Sequence, residues 1–255
     1  MSESDKGTAL ITGAARRIGR AIARGLAGDG WAVAIHYHTS KDGADGLVAE
    51  ITEAGGRAAT FCADLAIETE TRSIMAAALE TLGPVTCLVN NASLFEEDGP
   101  DTTDRGLWER HMEVNLRAPF ALGQELVRLL PAGKTANIVN LIDQRVANLT
   151  PFFTSYTLSK AALWTLTQTS AMALAPMVRV NAVSPGPTLR NQRQTPEQFE
   201  RQYRATPLGR AVDAEEITAA IRFILASPSM TGQMVTLDAG QHLGWATPSE
   251  PDPEL

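Results

Sequence analysis

The sequence has few cysteines, no excess of positive charge and no long hydrophobic run. Cys62 and Cys87 are its two cysteines, and neither belongs to a CxxC motif or a Cys/His cluster, so both are expected to be core thiols and no metal site is predicted. No stretch approaches the ~18 uninterrupted apolar residues of a membrane-spanning helix. Lys and Arg number 22 against 29 Asp and Glu, a net charge of −7. This balance argues against nucleic acid or an anionic lipid surface as the main partner.

The two ends of the chain differ from the rest in composition. Residues 1–7 contain no apolar segment of the kind that a secretory signal requires, so we expect a cytoplasmic protein. Residues 246–255 are acidic and rich in proline, which predicts a disordered tail or a loose surface strap. Trp245, just before this tail, is a candidate contact at a subunit boundary.

Short apolar runs alternate with helix-compatible segments along the chain. The length of 255 residues leaves one or two domains open, but no Pro/Gly/Ser-rich linker interrupts the alternation. Nearly all-apolar strands fit a parallel sheet covered by helices on both faces. The sequence therefore predicts an α/β fold, a single doubly wound domain over residues 1–245 with seven parallel strands. The strands are predicted at residues 8–11, 32–35, 58–62, 85–89, 138–142, 178–183 and 234–237.

A glycine-containing turn follows the first predicted strand. Gly13 permits a tight turn, and Gly19 allows the next helix to pack closely on the sheet. Free N–H groups and the positive end of the helix dipole favour a pyrophosphate there. A pair of glycines is also compatible with a plain tight turn, but its position after the first strand favours a dinucleotide site.

The end of the second strand predicts which dinucleotide is bound. An NAD enzyme places Asp or Glu there for the ribose 2′-hydroxyl, and this strand ends without an acid. Arg16 and Arg17 lie in the facing turn, and His38, Ser40 and Lys41 add further donors. Guanidinium groups match phosphate well, so NADP(H) is the predicted cofactor, although the two arginines could also be merely solvated. Asp64, after the third strand, has two possible roles. It could accept a hydrogen bond from the adenine amino group, or it could be the N-cap of the next helix.

A tyrosine and a lysine stand four residues apart after the fifth strand. On a helix Tyr156 and Lys160 share a face, and the ammonium group would lower the phenol pKa toward neutrality, as general acid catalysis requires. The spacing alone is common. It gains weight from Asn91 and its neighbours after the fourth strand, from Asn115 on the next helix, and from the Pro185-Gly186 segment after the sixth.

Together these motifs resemble the short-chain dehydrogenase/reductase family, from about residue 8 to residue 243. The resemblance implies a Rossmann-type sheet, usually a homotetramer, a catalytic Tyr156 and Lys160, and a structural Asn115. It also implies that the Pro185-Gly186 segment contacts the nicotinamide. The residues predicted to bind the cofactor, from the motifs and the resemblance, are Gly13, Arg16, Arg17, Ile18, Gly19, His36, His38, Thr39, Ser40, Asp64, Leu65, Asn91, Ala92, Ser93, Tyr156, Lys160, Pro185, Gly186 and Thr188.

Two positions depart from the family pattern. Arg17 stands where the turn usually has a third glycine, and Asp143 stands where the active-site serine is expected. An ionised Asp143 accepts hydrogen bonds but cannot donate one to a substrate carbonyl. It suits a substrate with N–H donors, and it opposes ionisation of Tyr156.

These departures resemble the pteridine reductase branch of the family. In that branch a Phe at the position of Phe95 covers a flat pterin, and an Asp–Tyr–Lys set delivers a proton to a ring nitrogen. Phe95 also fits a lid residue that packs on the core. Arg190 is a candidate contact for the substrate or the diphosphate, with a solvated loop residue as the alternative. The predicted substrate-binding residues are Phe95, Asp143, Tyr156 and Arg190.

Two segments near the predicted site are polar. Residues 96–105 form a predicted loop, and residues 190–204 are too polar for a core helix and are predicted to act as a mobile lid that excludes water. His111, on an amphipathic helix, is predicted to lie at the surface or at an interface.

The leading hypothesis is an NADPH-dependent reductase of a small-molecule pterin. Two alternatives stay open at this point. One is a generic short-chain ketoreductase of a 3-oxoacyl or sugar carbonyl, in which Asp143 is an incidental replacement. The other is a non-catalytic NADP-binding module that senses redox state, against which the joint presence of Tyr156, Lys160 and Asn115 argues.

Overall fold

One parallel sheet organises the molecule. The structure is a computed structural model, and it describes residues 6–191 and 193–244. Trp245 and the predicted tail 246–255 lie outside the described residues. Within those ranges seven strands pair in the order β3-β2-β1-β4-β5-β6-β7. They are β1 (Thr8–Ile11), β2 (Ala32–Tyr37), β3 (Arg57–Cys62), β4 (Val85–Asn90), β5 (Ala136–Leu141), β6 (Val178–Pro185) and β7 (Met234–Leu237).

Helices cover both faces of this sheet. They are α1 (Arg17–Gly28), α2 (Lys41–Glu53), α3 (Glu68–Leu82), α4 (Arg105–Met112), α5 (Ala118–Leu129), α6 (Thr154–Leu174), α7 (Pro196–Arg204) and α8 (Ala214–Ala226), with a π-helical turn at Glu113–Arg117 between α4 and α5. One buried cluster joins the sheet to α1, α2 and α8. A second joins it to α3, α5 and α6, and a small third cluster packs Leu163 of α6 against Ala182 of β6.

The strand β1 shows why the strands read as continuous apolar runs. Side chains of a strand point alternately to the two faces of a sheet. Accordingly Ala9 and Ile11 belong to the first core cluster and Leu10 belongs to the second, and all three are fully buried. A strand covered on both faces has no position for a polar alternation. The predicted seven-stranded doubly wound α/β domain is therefore confirmed, with β2 to β6 extending one or two residues beyond the predicted bounds at one end, and β5 ending one residue earlier than predicted.

The prediction for the cysteines is half right. Cys87 lies in the central strand β4 and is completely buried, and burial raises the pKa of its thiol to about 12. Cys62 is exposed, because it is the last residue of β3, at the edge of the sheet. The prediction of a core thiol at Cys62 is wrong.

The strand order creates a crevice at one edge of the sheet. The strand β1 pairs with β2 on one side and with β4 on the other, so the chain winds outward from β1 in opposite directions. Ligands of open α/β sheets bind beyond the carboxyl ends of the strands at such a reversal. None of the helices within residues 6–191 and 193–244 combines the length and the apolar character needed to cross a membrane.

Candidate active site

A cleft of about 960 Å³ opens at the carboxyl ends of the strands. The turn after β1, the ends of β2 and β3, the segment after β4, and the residues after β5 and β6 all contribute to its wall. Every predicted cofactor and substrate residue lines this one cleft except Arg190, and the predicted structural residue Asn115 lies behind it. These residues are up to 175 positions apart in the chain. The fold therefore brings into one cleft residues that the sequence connects only through their motifs.

The glycine turn after β1 fits a diphosphate. Gly13 has a φ of +64°, which favours glycine, and a Cβ on Gly19 would lie 2.4 Å from the Gly13 carbonyl oxygen. The Asn91 amide donates to the carbonyl oxygens of Thr12 and Gly13 at 2.8 and 3.2 Å, which fixes the turn to the end of β4. The first turn of α1 contains no acidic residue, and no side chain caps its N–H groups. These N–H groups and the helix dipole therefore suit an anionic group in the cleft.

Arg17 lines the cleft, as predicted, and also bonds to the loop after β6. Its backbone has a φ of +56°, a left-handed conformation that favours glycine, which explains why glycine is usual at this position of the family. Its guanidinium donates to the carbonyl oxygens of Leu189 and Arg190 at 2.9 and 2.7 Å. Arg17 thus ties the turn after β1 to the loop after β6. Its contact with the cofactor phosphate stays a prediction.

The end of β2 carries donors but no acid, as predicted. Arg16, His38, Thr39 and Ser40 line the cleft there. Lys41 does not add to these donors, because its ammonium group pairs with Asp45 one turn along α2. The set fits a phosphorylated ribose better than a ribose with a free 2′-hydroxyl.

Asp64, after the end of β3, has one of its two predicted roles excluded by the structure. The helix α3 begins at Glu68 with Ile67 at its N-cap, so the N-cap interpretation of Asp64 is wrong. The Asp64 carboxylate instead accepts from the backbone N–H of Ala66 at 2.9 Å and lines the cleft beside Leu65. Its contact with adenine stays a prediction.

His36 supports the glycine turn from within the protein. Its Nδ1 accepts from the N–H of Gly13 at 3.0 Å, and its Nε2 lies 3.1 Å from the carbonyl oxygen of Ala63. The ring is therefore neutral with its proton on Nε2. Both ring nitrogens bond within the protein, so His36 holds the wall of the cleft rather than offering a free donor to the cofactor.

The buried ring of His36 makes folding sensitive to acid. Burial lowers the pKa of His36 from 6.5 to about 4. Between these values the unfolded chain binds a proton that the folded protein excludes, so the free energy of unfolding falls as the pH falls from 6.5 toward 4, by on the order of 3 kcal/mol. We expect His36→Gln to flatten this part of the curve, whereas His38→Gln, at an exposed position, leaves it unchanged. Urea unfolding at pH 4.5 to 7 measures it, and a His36→Gln curve parallel to wild type would contradict the assignment.

Asn115 joins the cleft wall to the catalytic helix. It lies in the π-helical turn Glu113–Arg117 and is buried. Its Oδ1 accepts from Leu94 N–H at 2.8 Å and from the Ser93 hydroxyl at 3.2 Å. Its Nδ2 donates to the Leu94 carbonyl and to the Ser159 hydroxyl, both at 3.0 Å. It thus fixes the segment after β4 against α6, in agreement with the structural role implied by the family.

The phenol of Tyr156 bonds directly to Asp143. Tyr156 Oη donates to Asp143 Oδ2 at 2.8 Å, and Asp143 Oδ1 accepts from the N–H of Arg145 at 2.8 Å. Burial and the negative charge of Asp143 together raise the pKa of Tyr156 well above its usual value. The Tyr–Lys spacing predicted a lowered value, and this prediction is wrong for the free protein. The opposing effect expected of Asp143 prevails.

Lys160 lies below the phenol rather than against it. Its Nζ donates to the Leu141 carbonyl oxygen at 2.8 Å and stands 5.9 Å from the centre of the Tyr156 ring. Burial lowers the pKa of Lys160 to about 8, while Asp143 raises it. The ammonium group is therefore charged below about pH 8.

Phe95 takes part in an aromatic cluster at the substrate end. Its ring stacks on Phe153 at 4.4 Å between centroids and meets the edge of Tyr156 at 4.7 Å. The guanidinium groups of Arg145 and Arg193 lie over both phenylalanine rings, at 4.9 to 5.8 Å. Phe95 thus packs on the core, in agreement with the interpretation as a lid residue, and it also lines the cleft.

The predicted lid contains a helix. Thr195 caps α7 by a capping box with Gln198, which explains why so polar a segment is helical. Arg193 joins this segment to the loop after β4, donating to the Phe95 carbonyl at 2.9 Å and pairing with Glu96 at 2.5 Å. The segment therefore closes over the substrate end of the cleft in this structure.

Arg190 does not reach the cleft. Its guanidinium donates to the Gln194 carbonyl oxygen at 2.6 Å and the residue is exposed. The prediction of a substrate contact is not supported, and the interpretation as a loop residue fits. Arg193, three residues further along the chain, lines the cleft instead of Arg190. The only sequence signal for Arg193 is its location in the polar stretch 190–204.

His111 is fully buried, which corrects its predicted place at the surface. Its Nδ1 lies 2.6 Å from the Ser155 hydroxyl, and its Nε2 accepts from the N–H of Glu96 at 3.2 Å. Ser155 in turn donates to Asp98 at 2.5 Å. Because both ring nitrogens are bonded, a polar ring is tolerated in the interior. The chain of bonds anchors the loop that carries Phe95.

The comparisons with known proteins agree with this geometry. A family model described as enoyl-(acyl carrier protein) reductase matches residues 13–242. The structure of FolM alternative dihydrofolate reductase 1 from Brucella canis, complexed with NADP, is 47% identical with a TM-score of 0.92, covering 96% of this chain and 98% of that chain. The same-named protein of Brucella suis, also with NADP, is 46% identical with a TM-score of 0.93, covering 98% and 100%. A 3-oxoacyl-[acyl-carrier-protein] reductase of Synechocystis sp. is 31% identical over 91% of this chain and 95% of the relative.

Proposed function

Because the chain belongs to the short-chain dehydrogenase/reductase family and is an NADP-dependent oxidoreductase, we propose that its substrate is a pterin, which it reduces with NADPH. The observation that carries the proposal is the bond from Tyr156 to Asp143 at 2.8 Å. A carboxylate stands where carbonyl-reducing members of the family have a serine hydroxyl. The relatives named as FolM alternative dihydrofolate reductase support the same substrate class.

The Asp143–Tyr156 pair suits a ring that both donates and accepts. A plain ketone offers only an acceptor, and it would compete with Asp143 for the one phenolic proton. A pterin presents N–H and amino groups that Asp143 can accept, which leaves the phenol free to donate to a ring nitrogen. The carboxylate then changes partner without becoming an unpaired buried charge, which would be costly.

Proton delivery follows from the same contacts. Bound NADPH supplies the hydride. Tyr156 holds the proton at Oη, and in the free protein Asp143 and burial oppose its release. Substrate donors that bond to Asp143 would disperse its charge and reduce this opposition. Lys160, fixed to the Leu141 carbonyl, supplies the positive charge that favours phenolate at the moment of transfer.

The aromatic cluster suits a flat substrate. Phe95 lines the cleft beside Tyr156, and the buried ring of Phe153 supports it from behind. Stacking of a pterin on Phe95 would contribute about 0.5–1.5 kcal/mol beyond area burial. The segment held by Arg193 covers this end of the cleft, so its closure would exclude water during transfer.

The runner-up is a short-chain ketoreductase of a 3-oxoacyl substrate. The name of the Synechocystis relative favours it. The missing serine hydroxyl opposes it, because Asp143 cannot donate to a carbonyl oxygen.

The homotetramer and the cytoplasmic location both stay predictions.

A substrate panel tests the proposal. NADPH oxidation is measured with dihydropterins, with a 3-oxoacyl thioester and with simple ketones under one set of conditions. We expect kcat/KM to be at least about 100-fold higher for a dihydropterin, because a site built for hydrogen-bonding groups rejects analogues that lack them. Turnover of the ketones or the thioester alone would overturn the pterin assignment.

A further inference from the structure

The buried side-chain amide of Gln144 makes no hydrogen bond to any of the described residues. The residue follows Asp143 in the short helical turn Gln144–Val146 and is only 2% exposed. Neither its Oε1 nor its Nε2 has a partner among the described residues. Buried polar side chains are nearly always bonded, so an exception of two atoms in one group calls for an explanation.

The position of Gln144 explains what can supply the missing bonds. Gln144 lines the cleft with Asp143 and Tyr156. On one side its neighbour Asp143 bonds the phenol, and on the other its neighbour Arg145 covers the rings of Phe95 and Phe153. The amide therefore belongs to the substrate half of the cleft. The Gly13 turn, where the diphosphate fits, follows β1, which lies two strands away from β5 in the sheet.

The chemistry of the amide indicates its ligand. A carboxamide offers one donor and one acceptor side by side. Its complement is a ring edge with an adjacent acceptor and donor, as in a lactam or an aminopyrimidine. A simple ketone or an acyl thioester carbonyl would satisfy Nε2 alone and leave Oε1 unpaired.

We propose that Gln144 determines substrate specificity by pairing its amide with the lactam or aminopyrimidine edge of the substrate ring. The inference rests on the proposed function, since it takes the ring to be a pterin. It adds to that function the residue that selects a heterocycle over a plain carbonyl. In the free protein the amide has no hydrogen bonds, which lowers the stability of the fold. Its bonds form only with the substrate ring, so they contribute to substrate binding.

The test compares two substitutions that each remove an unpartnered buried polar group. Gln144→Met keeps an unbranched side chain of similar length, with Gln144→Leu as a second variant should Met pack badly. Thr157→Val is the matched control, because the Thr157 hydroxyl is also buried without a partner among the described residues but does not line the cleft. The measurements are calorimetric binding of 2-amino-4-oxopteridine to the NADP-saturated protein, KM and kcat for a dihydropterin, the Kd of NADPH, and the thermal unfolding midpoint.

Gln144→Met is expected to weaken binding of the pteridine and raise KM by about 10- to 100-fold, the size of two lost hydrogen bonds. It should change kcat by less than about threefold, since uniform binding is what is lost. The Kd of NADPH should stay at the wild-type value, and the unfolding midpoint should rise. Thr157→Val should leave KM unchanged. A structural role alone would not lower affinity and raise stability together.

The failure of this inference and the failure of the proposed function give different results. Wild type that reduces dihydropterins, with an unchanged KM in Gln144→Met, overturns the role of Gln144 alone, as does an equal loss of NADPH affinity. Pteridine binding that depends on Gln144 but leads to no turnover supports the role of Gln144 and overturns the proposed function. Wild type that does not bind the pteridine overturns both.

Discussion

Tyr156→Phe is expected to lower kcat for dihydropterin reduction by about 10²- to 10⁴-fold, the usual contribution of a positioned general acid. The substitution removes one oxygen and leaves the ring, which keeps its T-shaped contact with Phe95. The proton for the ring nitrogen must then come from water, which the closed segment excludes. Single-turnover NADPH oxidation in a stopped-flow instrument measures the effect.

Tyr203→Phe is the matched control for this substitution. Tyr203 lies on α7 against Phe199, at 5.4 Å between ring centres, and does not line the cleft. Phenylalanine preserves that contact, so wild-type kcat is expected. A Tyr156→Phe enzyme with kcat within about threefold of wild type would show that another group delivers the proton.

Replacing Asp143 is expected to have the second-largest effect. Asp143→Ala should lower kcat/KM for a dihydropterin by about 10²-fold or more, because the substrate N–H donors lose a charged acceptor. Asp143→Asn should retain part of the activity through its remaining carbonyl oxygen. Asp101→Asn, at an exposed position, is the control and should behave as wild type.

The pH dependence of the Asp143 variants gives a second readout. The carboxylate raises the pKa of both Tyr156 and Lys160. Both groups must be protonated to act, so activity is lost as the pH rises through their pKa values. Removing the charge lowers both pKa values and moves the alkaline limit of the kcat/KM profile to lower pH. A profile that moves to higher pH, or an undiminished rate in Asp143→Ala, would contradict the role given to Asp143.

The fold could be predicted from the sequence because inner strands such as β1 are buried on both faces. Such strands carry no polar alternation, so a short apolar run such as β1 marks them directly. The exposed Cys62 was missed for the complementary reason. Its strand, β3, is at the edge of the sheet. The order of the strands in the sheet cannot be predicted from their amino-acid composition.

The site could be predicted where a motif fixes both the residue and its backbone. Gly13 and Asp143 follow the ends of β1 and β5, Tyr156 lies on α6, and all three line the cleft. Side chains that reach across the fold were not predictable. Arg17 turns toward the loop after β6, and His111 is buried because Ser155 and Glu96, distant in sequence, bond its ring.

Gln144 shows a third limit of sequence reasoning. A glutamine after a strand reads as an ordinary polar loop residue. Only the structure shows that its amide is buried and without a partner among the described residues. Its neighbour Arg145 is similar, since its contact with Phe95 and Phe153 depends on how the segment after β5 folds back over the cleft.

The most direct test is a crystal structure of the protein with NADP and a pterin bound together. We expect one ligand that contacts Asp143 and Tyr156 by hydrogen bonds and lies flat against Phe95, with the Gln144 amide at its edge. A pterin bound outside this cleft, or bound in it without touching Asp143, would contradict the roles assigned to these residues.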